Sequence, residues 1–220
     1  MTGKGYAGQI LIVDLSSRKV ERLDTSSYTD KFLGGKGLAV RLYWELVPPR
    51  AGAFSPENAF ICVNGPLAGF TGFASSRWLA CGKTAAGDPE SFSWGNLGGS
   101  WGNKLKSAGY DGIVVLGKAD KPVYLYLHDD KVDIRDASRL QGKNAFHAID
   151  ELKAELGKDV SVLTTGQAGE NKVVFANVIA DQGASGSGGT GSIMGSKNLK
   201  AIAVAGNEKP RAADYGRQEK

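Results

Sequence analysis

DQGASGSGGTGSIMGSKNLKAIAVA, residues Asp181–Ala205, sets Gly183, Gly186, Gly188, Gly189, Gly191 and Gly195 among serines and then turns into an apolar strand. Glycine admits backbone with φ > 0 and lets main chain lie directly against a neighbour. Successive N–H groups in such a loop can converge on an anion, and Ser185, Ser187, Ser192 and Ser196 add hydroxyl donors. A flexible Gly/Ser linker has the same composition. Against the linker, Leu199–Ala205 reads as a strand that must pair with something earlier in the chain. Ile193, Met194, Lys197 and Lys200 also break the low complexity. From spacing alone, an anion cradle and a plain loop both stay open.

Working outward, the other segments alternate strands with a few helices. Gln9–Leu15 and Lys19–Leu23 flank Ser16–Arg18 as a hairpin. Ser26–Leu33 reads as a short helix ended by Gly34–Gly35. Gly37–Leu46 places Leu38, Leu42 and Leu46 at helical spacing and stops at Pro48–Pro49. Phe60–Val63 and Arg77–Gly82 read as buried strands, and Ala85–Trp94 as a loop. Gly95–Gly99 (GNLGG) runs into a helix over Ser100–Ala108, followed by a strand at Ile113–Leu116. Val123–Leu127 and Val132–Ile134 form a hairpin about Asp129–Lys131. Asn144–Leu156 is an amphipathic helix, and Val160–Leu163, Val173–Val178 and Leu199–Val204 are strands. Hairpin, helix and buried strands occur twice in outline, without a sequence repeat. Gly206–Lys220 loses periodicity and reads as the start of a linker, so the expected division is a domain over 1–206 and a linker or tail over 207–220.

Composition narrows the function. The 220 residues carry 41% hydrophobic and 23% charged side chains, ordinary values for a folded soluble chain. No apolar run reaches a membrane span, and the start MTGKGYAGQ lacks a signal-peptide core, so the expected location is the cytoplasm with no membrane partner. A net charge of +4, with basic and acidic residues interspersed, gives no nucleic-acid signal. Cys62 and Cys81 sit in apolar runs and read as buried thiols, too few for a zinc or iron–sulfur site. The 31 glycines are about twice the usual share and mark tight turns and close backbone approaches.

Candidate chemistry rests on few residues. Arg77, after Ser75–Ser76, can offer a planar fork to phosphate or carboxylate, or stand as an edge arginine. Asn96 sits among glycines before a helix, where an anion is favoured and an amide carbonyl suits Mg²⁺. His128 and His147 read as structural or surface groups, and Trp44, Trp78, Trp94 and Trp101 as packing residues. Neither glycine loop fits the phosphate loop of nucleotide-binding folds, and no G-x-G-x-x-G follows the first strand. The residues alone reach a glycine-rich α+β domain binding an anionic cofactor.

The chain resembles the amino-terminal domain of the tungsten-containing aldehyde ferredoxin oxidoreductases. The resemblance rests on ordered motifs: G-x-I-L-x-V-D-L at Gly8–Leu15, F-L-G-G-K-G-L-A at Phe32–Ala39, S-P-E-N at Ser55–Asn58 and G-P-L-x-G at Gly65–Gly69. Then follow A-G-Y-D at Ala108–Asp111, K-P-V-Y-L-Y at Lys121–Tyr126, G-Q-A-G-E-N at Gly166–Asn171 and M-G-S-K-N-L-K-A-I-A-V at Met194–Val204. It implies an α+β domain of two β-sheets in a pseudo-duplicated arrangement with a few helices. On that base would lie a tungsten or molybdenum bis-molybdopterin, with Mg²⁺ bridging the pterin phosphates. The implied cofactor-binding residues are Arg77, Asn96, Gly98, Ala184, Gly186 and Ser187, with Asn96 and Ala184 near the magnesium. Many members carry arginines where this chain has Gly183 and Ser187, so backbone N–H and hydroxyl groups would meet more of the phosphate charge. The [4Fe–4S] cluster and the remaining pterin contacts are expected only in further or partner domains. The implied activity is oxidation of aldehydes to carboxylic acids, with electrons passed to ferredoxin or an iron–sulfur subunit. A homo-oligomer and a partner chain carrying the helical domains are the expected company, and the 220 residues alone are expected to be inactive. The rival readings are a non-catalytic pterin-binding subunit or storage module, and a fragment that binds nothing and self-associates.

Overall fold

The computed structural model describes residues 3–70, 74–128, 130–214 and 216. Two halves with the same order of strands and longer helices, differing in the placement of one short helix each, make up the fold. The first runs β1 (Gln9–Asp14), β2 (Lys19–Asp24), α1 (Ser26–Thr29), α2 (Gly35–Leu46) and β3 (Phe60–Asn64). It closes with β4 (Trp78–Thr84), β5 (Ser91–Leu97), α3 (Trp101–Ser107) and β6 (Tyr110–Leu116). The second runs β7 (Val123–His128), β8 (Lys131–Asp136), α4 (Ala145–Leu156), β9 (Ser161–Thr165) and α5 (Gln167–Glu170). It closes with β10 (Val178–Ala180), β11 (Ser185–Gly186), α6 (Thr190–Ser196) and β12 (Leu199–Val204).

Each half builds one six-stranded sheet, ordered β2-β1-β6-β3-β4-β5 and β8-β7-β12-β9-β10-β11. In both, only the second and third strands run parallel, β1 with β6 and β7 with β12. Both parallel pairs slip register by one residue at matching places, skipping Asp111 in β6 and Lys200 in β12. Left-handed residues also match at one constant offset: Gly99 (φ 73) with Gly188 (φ 82), and Gly109 (φ 91) with Asn198 (φ 55). The pseudo-duplication expected of this α+β fold is therefore present in topology, bulges and turns.

The sheets stack with their inner faces on one core that includes Phe60, Cys62, Ile113, Leu125, Leu163 and Ile202. The outer face of the first sheet is covered by α2 through Leu38 and Leu42, and that of the second by α4 through Ile149 and Leu152. Strands covered on both faces have no polar alternation, which is why FICVN and LKAIAV are uniformly apolar or buried. α3 and α6 lie inside the stack, where Trp101, Leu105, Ile193 and Met194 belong to the same core. Arg18 Nη2 donates to Ile134 O (2.8 Å) and Arg22 Nη2 to Asp130 O (2.7 Å), tying the β2 edge to the β8 hairpin.

Several local expectations need correction. The helix expected over Ser26–Leu33 covers only Ser26–Thr29. Ala85–Trp94 is not all loop, because β5 begins at Ser91 and pairs with β4 along its whole length. Its polar and glycine residues carry no strand signal of their own. The strand expected over Val173–Val178 shrinks to Val178–Ala180; Val173 N and Ala176 N bond Ala168 O and Val173 O in turns, and Phe175 is exposed. The glycine run does not pass straight into a strand. α6 intervenes, with all seven of its residues buried. Its hydroxyls are satisfied locally: Thr190 Oγ1 donates to Gly186 O, Ser192 Oγ to Gly189 O and Ser196 Oγ to Ile193 O. A Cβ at Gly195 would stand 1.9 Å from Gly169 O, and one at Gly191 2.3 Å from Asn177 O, so backbone packs on backbone there. In the β7–β8 turn, Asp129 lies outside the described residues.

Beyond Val204 the chain stays on the domain for several residues. Glu208 N donates to Ser107 O and Gly5 N donates to Arg211 O.

Candidate functional site: the junction of two glycine segments

β5 and β11 are the last strands of their sheets, and they meet where the two halves face each other. A Cβ at Gly95 would lie 2.7 Å from both Ser187 N and Ser187 O, so no side chain fits between the segments. A Cβ at Gly186 would strike Leu97 Cδ1 at 2.7 Å, and one at Gly188 would lie 2.6 Å from Ser93 Oγ. Two loops far apart in sequence are thus held at backbone contact distance.

Each expected binding residue has a definite place about this junction. Asn96 pairs with Leu79 across β4 and β5, and its side chain is exposed on the strand face opposite Gly95. Gly98 follows; its carbonyl accepts from Trp78 Nε1 at 2.9 Å, and Ser76 Oγ would be 3.8 Å from a Cβ there. Arg77 is exposed at the residue before β4. On the other side, Gly186 is buried against Leu97 and Ser187 is exposed. Ala184 is half-buried, and its carbonyl accepts from Ala180 N at 2.7 Å. The structure therefore brings the Asn96–Gly98 and Gly186–Ser187 segments together, with Arg77 one residue before β4, next to Ser76.

Elsewhere in the fold, buried ammonium ions tie distant segments together. Lys106 Nζ donates to Gly5 O (2.7 Å), Gly65 O (2.9 Å) and Asp111 Oδ1 (3.1 Å). Asp111 also accepts from Ala7 N, Gly8 N and Thr25 Oγ1, so the bulged residue of β6 gathers the amino-terminal strand. Lys200, at the matching bulge, donates to Lys143 O (2.8 Å) and pairs with Glu170. Lys197 Nζ crosses between halves to Pro56 O, Asn58 O and Gly117 O, at 3.1, 2.5 and 3.0 Å. Burial pushes the Lys197 ammonium down from 10.5 to about 7 and lowers that of Lys106. The only local sign of these roles was lysine inside otherwise apolar segments.

The histidines and cysteines take structural places. His147 N bonds the cap residue Asn144, and His128 stacks on Tyr126 at 4.2 Å with Asp133 at 3.0 Å. Cys62 and Cys81 project to opposite faces of the first sheet, and burial raises both thiols. Trp78 and Trp101 pack in the core with ring centroids 4.5 Å apart, whereas Trp44 and Trp94 are exposed. Among the described residues no three His, Cys, Asp or Glu side chains cluster as metal ligands, and no helix is long and apolar enough to cross a membrane.

A solved structure with this fold defines its class. The benzoyl coenzyme A reductase active-site complex BamBC, with 1,5-dienoyl-CoA, matches with a TM-score of 0.90 and 37% identity, over 94% of this chain and 32% of that one. Residues 10–206 match the aldehyde ferredoxin oxidoreductase N-terminal domain, and the chain belongs to this family. The tungsten-containing aldehyde ferredoxin oxidoreductase of Pyrococcus abyssi is 41% identical over 216 residues, 97% of this chain. The aliphatic sulfonate oxidoreductase WOR-like subunit of Pyrococcus furiosus is 34% identical over 220 residues. The chain spans 35% of the length of each of these relatives.

Proposed function

We propose that this chain is the domain on which the pterin cofactor of a tungsten-dependent oxidoreductase rests. The cofactor phosphates would lie along the junction of Asn96–Gly98 with Ala184–Ser187. The observation that carries the reading is the backbone contact between Gly95 and Ser187. Along that edge of the two sheets stand features a phosphate needs: left-handed glycines at 99 and 188 and the exposed Ser187 hydroxyl, with the exposed Asn96 amide and the exposed Arg77 on the outward face of the β4–β5 pair. The donor set thus fits an anionic tail. Asn96 offers a carbonyl oxygen of the kind Mg²⁺ takes, and Ala184 a carbonyl already engaged with Ala180 N.

When bound, the metal–pterin group supplies two-electron redox chemistry, in our reading the oxidation of an aldehyde to a carboxylic acid. This chain's own residues bind and orient it. Arg77 and Asn96 fix the charged tail. Relatives named for aldehydes, aliphatic sulfonates and benzoyl-CoA share this domain at 34–41% identity. We therefore assign substrate choice, and transfer of electrons to a ferredoxin-type iron–sulfur acceptor, to regions beyond it.

Protein purified from tungsten-supplemented cells, assayed for tungsten and for oxidised fluorescent pterin, tests the reading. Wild type is expected to retain pterin. Gly95→Val, which drives a branched side chain into Ser187, is expected to lose it, while Gly183→Ala, facing open space, keeps it. Folded wild-type protein without pterin, or folded Gly95→Val with a full complement, overturns the assignment.

A further inference from the structure

The glycine segment of the second half brings no positive side chain to the junction: residues 181–196 contain neither Lys nor Arg, and they include Asp181. Asp181 is already neutralised by its ion pair with Lys153 of α4, which turns attention to cations of the first half. Lys36, in the first turn of α2, places Nζ 3.2 Å from the centroid of the exposed Trp94 indole. Trp94 precedes Asn96 by two positions on β5, so both side chains leave the same strand face about 7 Å apart. Across the pairing, Cys81 stands opposite Trp94 and Leu79 opposite Asn96, with Arg77 at the end of that row. α2 therefore delivers Lys36 to the flank of the row that ends in Asn96 and Arg77.

Nothing else among the described residues engages that ammonium. Lys36 is exposed and has no ion pair or hydrogen bond there. Its position is not one where the fold demands a cation. α4, of the same twelve-residue length and the same place in the second half, has the exposed Phe146 in the matching position. An ammonium on an exposed indole is held weakly. A charge-assisted bond to phosphate is stronger, and the flexible lysine stem allows the exchange.

We infer that Lys36 is a further phosphate-binding residue of the junction: held over Trp94 in the free protein, it moves onto the anionic tail beside Asn96. The inference rests on the cofactor-site reading above and adds a residue to it.

Calorimetric titration of the purified protein with inorganic pyrophosphate, at low ionic strength, tests it. Lys36→Gln is expected to raise Kd about tenfold, the loss of one charge-assisted contact. Lys36→Arg is expected to stay within about twofold of wild type, because it keeps the charge. In the wild type, pyrophosphate is expected to change tryptophan emission as the cation leaves the indole, a change absent in Trp94→Phe. If Lys36→Gln binds like wild type while Arg77→Gln weakens binding, the role of Lys36 is overturned and the site stands. If the wild type binds no pyrophosphate, both fall. Unchanged thermal unfolding of Lys36→Gln is expected, since the side chain is exposed.

Discussion

The contact between β5 and β11 can be tested with one methyl group. Gly95 has no left-handed backbone, so alanine there is conformationally permitted and Gly95→Ala reports sterics alone. The added Cβ would stand 2.7 Å from Ser187 N and O and 2.8 Å from Gly186 C. Ordinary contact to such atoms begins near about 3.4 Å, so the segments must part by roughly 0.6 Å. β5 is pinned to β4 over seven residue pairs, whereas β11 is held to β10 by two. The shift therefore falls on Ser185–Ser187. Overpacking of this kind costs about 1–3 kcal/mol, a fall in Tm of roughly 2–4 °C per kcal/mol for a chain of this size. Because the displaced segment carries half of the proposed phosphate site, pyrophosphate affinity should fall as well. Thermal unfolding by circular dichroism and calorimetric titration, run beside Gly183→Ala, read the two effects. Gly183→Ala meets nothing within 4 Å and pays only for its positive φ, about 1 kcal/mol. A Gly95→Ala protein with wild-type Tm and wild-type pyrophosphate affinity would refute the close approach and the site built on it.

Three further outcomes follow from the buried groups. The Lys197 ammonium is lowered by burial from 10.5 to about 7, so below pH 7 the fold carries the full cost of the buried charge. Between pH 7 and 10.5 the unfolded chain binds the extra proton, so stability rises with pH. Denaturant unfolding at pH 6, 8 and 9.5 should show a rise in wild type that Lys197→Met lacks; equal pH slopes count against it. Lys106→Met leaves Asp111 buried without its cation and should cost about 3–5 kcal/mol in the same experiment, with a cost below about 1 kcal/mol speaking against the pair. Cys62 and Cys81, buried and raised in pKa, should resist a disulfide-exchange reagent at pH 8 until the protein unfolds; prompt labelling of either thiol in the native state contradicts the packing.

Much of the fold was legible in the chain because its determinants are local. Periodicity at Leu38 and Leu42 marked α2, the face of Ile149 and Leu152 marked α4, and uniformly apolar runs marked β3 and β12 as strands covered on both sides. Tertiary structure alone decided the rest. β5 is a strand because β4 pairs with it, not because SFSWGNL favours one. TGSIMGS is a buried helix because Gly169 and Asn177, distant in sequence, press their carbonyls against Gly195 and Gly191, and its hydroxyls close on their own turns. The repeat between halves resides in pairing order and bulges, carried by Asp111 in one and the oppositely charged Lys200 in the other, so residue identity hides it. Sequence alone named the glycines of both loops; that Gly95 and Ser187 touch depended on two sheets stacking through a shared core, a contact no local pattern encodes.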